Sequence, residues 1–218
     1  MEAPAAEAGV EPNTAPRFDA TFRDRFGELV AWRRDVRRFG PGGVPEGVLT
    51  ALFELAALAP SVGNCQPTRF VRVDDASRRE AVAVNFEAAN REALAAYRGE
   101  RARLYSELKL AGLREAPVHL AVFCDEATEQ GHGLGARTMP ETRRYSAVCA
   151  LHTFWLAARA YGLASAGCRS WIPVRWRKYS KCQATGRLSP ISASAGPRRN
   201  TGSRNWSASA GRPEQSTR

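Results

Sequence analysis

No apolar run in this 218-residue chain is long enough to cross a bilayer. The first sixteen residues, rich in Ala, Glu and Pro, lack the basic start and apolar core of a secretory signal, so residues 1–17 read as a disordered leader of a cytoplasmic protein. Cysteine is sparse and dispersed. Cys65, Cys124, Cys149, Cys168 and Cys182 include no Cys-x-x-Cys pair, which excludes a disulfide framework and a zinc ribbon and leaves free thiols in a reducing compartment. There are three histidines, His119, His132 and His152, too scattered for a metal site and each read as structural. Gly131-His132-Gly133-Leu134-Gly135 contains no Walker lysine and is not Gly-x-Gly-x-x-Gly, so it reads as a flexible segment and not a phosphate loop.

Acidic residues are missing from one region only. Net charge is +10, yet the last 55 residues hold 11 basic side chains against one acid, Glu214, leaving residues 1–163 neutral. That distribution argues against the whole body being a nucleic-acid or membrane-surface binder. The tail, 164–218, mixes Ser, Arg, Gly and Pro without hydrophobic period and reads as low-complexity and disordered. A nucleic-acid arm, with Trp171, Trp176 and Trp206 stacking on bases, is the weaker reading of it.

What is present begins with an amphipathic pattern from Phe18 to about Val36, with Phe22, Phe26, Leu29 and Val30 on a stripe facing a core or a partner subunit. Its end delivers Trp32-Arg33-Arg34-Asp35-Val36-Arg37-Arg38-Phe39, one carboxylate among four guanidiniums. Such forks suit phosphate oxygens or a heterocycle's carbonyl edge and hold Asp35 ionised. A solvated basic face is the alternative for such a run taken alone.

Gly40-Pro41-Gly42-Gly43 breaks the chain. Pro45 opens a second helix through Val48, Leu49, Leu52, Phe53 and Leu55, which closes before Pro60. Ala59 to Pro67 is a small-residue loop offering Ser61, Asn64 and Gln66 as donors, and Phe70, Val71 and Val73 mark a short strand with Arg69 and Arg72 on its other face. Helical patterning runs from Ser77 to Leu113, and Val118 to Cys124 suits the centre of a sheet. Tyr145 to Tyr161 is apolar nearly all round, predicting a buried helix that stops at Gly162 before another strand.

From about Phe26 to Leu163 the chain resembles the flavin-destroying 5,6-dimethylbenzimidazole synthases of the nitroreductase superfamily. The carriers are Trp32 to Arg37, Ala59-Pro60-Ser61-Val62-Gly63 with Gln66-Pro67, Leu108 to Leu113 before Ala116-Pro117, Thr138-Met139-Pro140-Glu141 with Tyr145-Ser146, and Trp155 to Ala160. The resemblance implies an α+β, nitroreductase-like homodimer with a mostly antiparallel central sheet flanked by helices and FMN bound between subunits. Reduced FMN is then the substrate. O2 fragments it to 5,6-dimethylbenzimidazole, the lower ligand of vitamin B12, with NAD(P)H and a flavin reductase supplying the reduced flavin, and no metal. Carried over by position, Arg33, Arg34, Asp35, Val36 and Arg37 would grip the flavin, with Ser61, Lys109 and Leu110 completing the pocket and Asp35 as catalytic acid/base. Thr68 stands where the family has Trp. The same fold also admits an NAD(P)H-dependent nitro or quinone reductase that recycles FMN, or an inactive truncated product.

After Leu163 the resemblance stops, and Arg169 falls where the family has a serine beside the flavin. Regrouped one base earlier, codons for Ala166 to Pro173 can spell Gly-Trp-Val-Ser-Ile-Leu-Asp-Pro, so the tail reads as translated out of frame. The expected division is therefore a leader over 1–17, a domain over 18–163, and a tail that leaves the fold incomplete.

Overall fold

The computed structural model describes residues 16–36, 38–95, 112–168 and 188–197. These fall into two units, one ending at Arg33 and one beginning at Arg34. Among the described residues no helix is long and apolar enough to cross a membrane.

The first unit contains helix α1 (Ala20–Trp32), capped by Asp19, whose Oδ1 accepts the Phe22 N–H at 2.7 Å. Its apolar stripe forms as the spacing predicts, with Phe18 stacked on Phe22 and Phe22 on Phe26 at centroid distances of 4.6 and 6.3 Å. None of its residues is buried. The helix ends at Trp32, because Arg33 already has extended backbone (φ −60°, ψ 123°). The expectation of helix through Val36 is corrected there.

The second unit is a four-stranded sheet with helices against it. Strand β1 (Thr68–Arg72), β2 (Val118–Asp125), β3 (Leu163–Cys168) and β4 (Leu188–Pro197) stand in the order β1-β2-β4-β3, each neighbouring pair antiparallel. Phe70 lies opposite Val122, and Ser165 opposite Ala195. The sheet therefore continues into the tail, where local periodicity is lost but ladder pairing is available to any non-proline backbone. β2 is buried at seven of its eight positions, as its unbroken apolar run requires.

Helices α2 (Glu46–Ala57) and α4 (Thr142–Ala160) pack on one sheet face. Leu49, Leu52 and Ala56 of α2 and Phe154 and Ala158 of α4 meet Val118 and Leu120 of β2. Phe154 is fully buried, with its ring 5.7 Å from Phe53 and 5.5 Å from Phe70. Burying such a side chain contributes about 1.5–3 kcal/mol, and the offset ring contacts add to it. Between the two in sequence, helix α3 (Ala76–Ala95) buries Val82, Ala83 and Phe86 against Leu113.

Three local expectations change. α4 is buried along one face only, since Tyr145, Val148 and His152 are exposed. Arg69 and Arg72, three apart on β1, project to opposite sides, and both faces of the strand carry apolar residues: Phe70 packs towards Phe154, Val71 towards Phe123. The segment expected to be flexible is a defined turn, Gln130–Gly133, packed against the turn Val62–Asn64.

Candidate active site

Asp35 leaves the helix and joins the sheet. It forms a parallel bridge with Ser165 on β3, and the Val36 N–H donates to the Ser165 carbonyl at 3.2 Å. The Gly167 N–H donates to Asp35 Oδ1 at 3.0 Å, using the edge of β3 that β4 does not pair. Val36 anchors the segment by packing with Phe39, Ala116 and Ala164. Apolar anchors at Val36 and Phe39 thus fix the backbone while the carboxylate itself stays exposed. Beside it, the Ser165 hydroxyl is buried and has no hydrogen-bond partner among the described residues.

The four guanidiniums are not equivalent. Arg38 Nη1 donates to Glu115 Oε1 at 2.5 Å, and the Phe39 N–H donates to Glu115 Oε2 at 3.2 Å, so Arg38 is a strut between this segment and the residues before β2. Arg34 is exposed and Arg33 half-buried at the end of α1. Arg37, Lys109 and Leu110 lie outside the described residues.

Ser61 occupies a second location. Its Oγ accepts the Gln66 N–H at 3.1 Å, closing the loop on itself. Buried Ser146 ties that loop to α4: its Oγ accepts the Val62 N–H at 3.0 Å and donates to the Thr142 carbonyl at 2.7 Å. Asn64 and Gln66 hold positive φ, a strain that persists only where surrounding contacts impose it. A cavity of about 150 Å³ opens beside Ser61, between α2, β1 and α4, with Thr68, Gln66 and Ser146 among its lining residues. Arg34, Asp35 and Val36 do not line it.

Other titratable groups serve structure. His119 is buried on β2, and its pKa is lowered to about 4 by burial and then by the Arg79 charge, partly offset by hydrogen bonding to the backbone of Ala116 and Leu113. Burial pushes the Cys124 thiol up to about 11, with the Glu126 charge adding to it. Cys65, Cys124 and Cys149 are free thiols. Among the described residues no three His, Cys, Asp or Glu side chains are grouped to hold a metal.

The profile of the Nitroreductase family matches residues 30–178. The chain belongs to the nitroreductase family. A 5,6-dimethylbenzimidazole synthase of Rhodospirillum rubrum is 59% identical over 150 residues, covering 69% of this chain and 71% of that protein. A Rhodobacter capsulatus protein of the same name is 47% identical over 146 residues, covering 67% and 70%. Among solved structures, an iodotyrosine deiodinase bound to FMN and 3-iodo-L-tyrosine superposes with a TM-score of 0.66 at 23% identity, covering 88% of this chain and 97% of that one, a likeness of fold.

This nitroreductase-family chain carries site residues that sequence reasoning passed over. Ser146 was legible only as part of a Tyr-Ser pair, and its bond to Val62 spans 84 positions. Ser165 and Gly167 fell within the presumed tail, where no periodicity marks a strand. Glu115 gave no signal beyond its charge.

Proposed function

We propose that this chain fragments reduced FMN with O2 to 5,6-dimethylbenzimidazole, the lower ligand of vitamin B12. The observation that carries the reading is the 59% identity over 150 residues to a protein of that name. The described residues of the second unit offer groups suited to a flavin phosphate and ring: exposed Arg34, the bridged Asp35 and the Ser61 hydroxyl. By resemblance Arg33, Arg34, Val36 and Ser61 would hold the flavin, joined by Arg37, Lys109 and Leu110, which lie outside the described residues. Reduced FMN supplies the ring that O2 oxidises.

Asp35 serves as the acid/base. Fragmentation requires protons to be taken from and returned to ring positions, and a carboxylate with one oxygen fixed by a backbone N–H is oriented for that work. The chain works in the cytoplasm as a homodimer, for which the exposed Phe18, Phe22 and Phe26 edge offers apolar surface. NAD(P)H, through a flavin reductase, supplies the reducing equivalents.

Incubation with FMN, NAD(P)H, a flavin reductase and O2 tests this. 5,6-Dimethylbenzimidazole should accumulate as flavin is lost. Unchanged flavin as the sole organic product counts against it, and turnover of nitro compounds or quinones without flavin loss assigns the chain to the recycling reductases. The residues after 163 are proposed to be read out of frame, and the nucleotide sequence around codon 164 decides it: an uninterrupted frame in genomic DNA refutes the shift.

A further inference from the structure

Residues 112–117, just before β2, form a platform fixed by several neighbours. Leu113 is buried against Val82, Ala83 and Phe86 of α3. Arg114 donates from Nη1 to Glu80 Oε2 at 2.9 Å and from Nη2 to Glu80 Oε1 and Glu87 Oε1 at 3.0 and 3.2 Å. Arg79 Nη2 donates to the Pro117 carbonyl at 3.1 Å while its Nε donates to the Val73 carbonyl at 2.7 Å, and the buried His119 ring is hydrogen-bonded to the backbone of Ala116 and Leu113. The platform therefore cannot shift without disturbing α3 and β2.

Glu115 projects from it to the segment that carries Asp35. Its Oε1 accepts from Arg38 Nη1 at 2.5 Å and its Oε2 from the Phe39 N–H at 3.2 Å. The Glu115 side chain is only 21% exposed, so the pair is less screened than a surface ion pair, and the bond to a backbone N–H adds a direction that charge alone lacks. Phe39 is buried, so its N–H has little water to turn to when that acceptor is removed. Asp35 itself is bonded to β3, through the bridge to Ser165 and the Gly167 N–H. With Ala116 also packed in the cluster of Val36, Phe39 and Ala164, the carboxylate is held between β3 and the platform.

We propose that Glu115 is a positioning residue for the reaction: by holding Arg38 and the Phe39 N–H it fixes the segment that places the Asp35 carboxylate, and it keeps the Arg38 guanidinium from competing for the flavin phosphate. The assignment rests on the function proposed above. It turns on accuracy, since a displacement of about 1 Å can cost on the order of 10²-fold in rate. A misplaced Asp35 leaves reduced flavin to a simpler fate, in which two electrons and two protons pass to O2 and give H2O2 and oxidised FMN with its ring intact.

Glu115→Gln keeps the shape and a carbonyl oxygen for the Phe39 N–H but removes the ion pair, and Glu115→Ala removes both. Limited tryptic digestion of the flavin-free full chain, read by mass spectrometry, reports on the strut. Initial cleavage after Arg38 should rise about tenfold relative to cleavage after Arg159 in α4, whereas global destabilisation raises both together. Reduced FMN bound to excess protein is then mixed with O2 for a single turnover. The ratio of 5,6-dimethylbenzimidazole to recovered oxidised FMN should fall about tenfold or more in both variants, while FMN affinity of the Gln variant stays within about threefold. Both readings count only folded or flavin-loaded protein, so a loss of folded material does not mimic them. Unchanged cleavage after Arg38, or an unchanged product ratio in a variant that binds FMN, overturns the proposal. The functional reading fails separately, when the unaltered chain itself returns only oxidised FMN; cleavage after Arg38 still decides whether Glu115 holds the segment.

Discussion

Gly131→Ala isolates the close approach that holds the Ser61 loop. A Cβ added at Gly131 would lie 2.1 Å from the Gly63 carbonyl oxygen, about 1 Å short of a carbon–oxygen contact of roughly 3.3 Å, and 3.2 Å from Cys65 Cα. Both obstacles are backbone, so the two turns must separate. Gly131 also has φ +77°, which costs an L-residue about 1–2 kcal/mol. Two controls carry the same conformational cost without the contact. Gly133 has φ +72° and only the flexible Arg137 side chain nearby, at 3.4 Å, while Gly162 has φ +75° and nothing within 4 Å. The alanine variants at 133 and 162 should each lose about 1–2 kcal/mol. Gly131→Ala should lose a further 2 kcal/mol or so from overpacking, lowering Tm by roughly 4–8 °C beyond the controls for a chain of this size. Urea unfolding of the three variants under one condition measures the difference. A Gly131→Ala stability within about 0.5 kcal/mol of Gly133→Ala would refute the reasoning.

Two further predictions follow from buried groups. The His119 pKa is near 4 in the folded chain against 6.5 unfolded, so the unfolded state binds the proton first as pH falls. Its contribution is fully present above pH 6.5 and is lost between 6.5 and 4, by about 3 kcal/mol in total, a slope that His119→Phe should remove from urea unfolding across that window. Cys149 is exposed whereas Cys65 and Cys124 are buried, so a thiol reagent should label Cys149 in native protein and the other two only after unfolding. Mass spectrometry of labelled peptides checks the order.

The elements that sequence foretells are those set by local chemistry. Pro45 starts α2, whose first turn closes on the Pro45 carbonyl, and Gly162, at φ +75°, stops α4. The unbroken run from Val118 makes a buried strand. What was not legible depends on partners distant in sequence. Nothing between Trp32 and Phe39 breaks a helix, yet the segment extends because β3 offers Asp35 a free edge 132 positions away at Gly167. The turn at Gly131 has no hydrophobic signal, and its shape comes from the backbone of Gly63. Ser61 and Asp35 stand out by residue type and resemblance, but composition does not reveal the bonds that fix them, Ser61 to the Gln66 N–H and Asp35 to the Gly167 N–H.

Asp35→Asn, assayed for 5,6-dimethylbenzimidazole formation from reduced FMN and O2, tests the central claim most directly. The amide oxygen can still accept the Gly167 N–H, so Tm should shift by only a few degrees and flavin affinity by a few-fold. Loss of the acid/base should lower product formation by about 10²–10⁴-fold. Benzimidazole output equal to that of the unaltered chain would contradict the account.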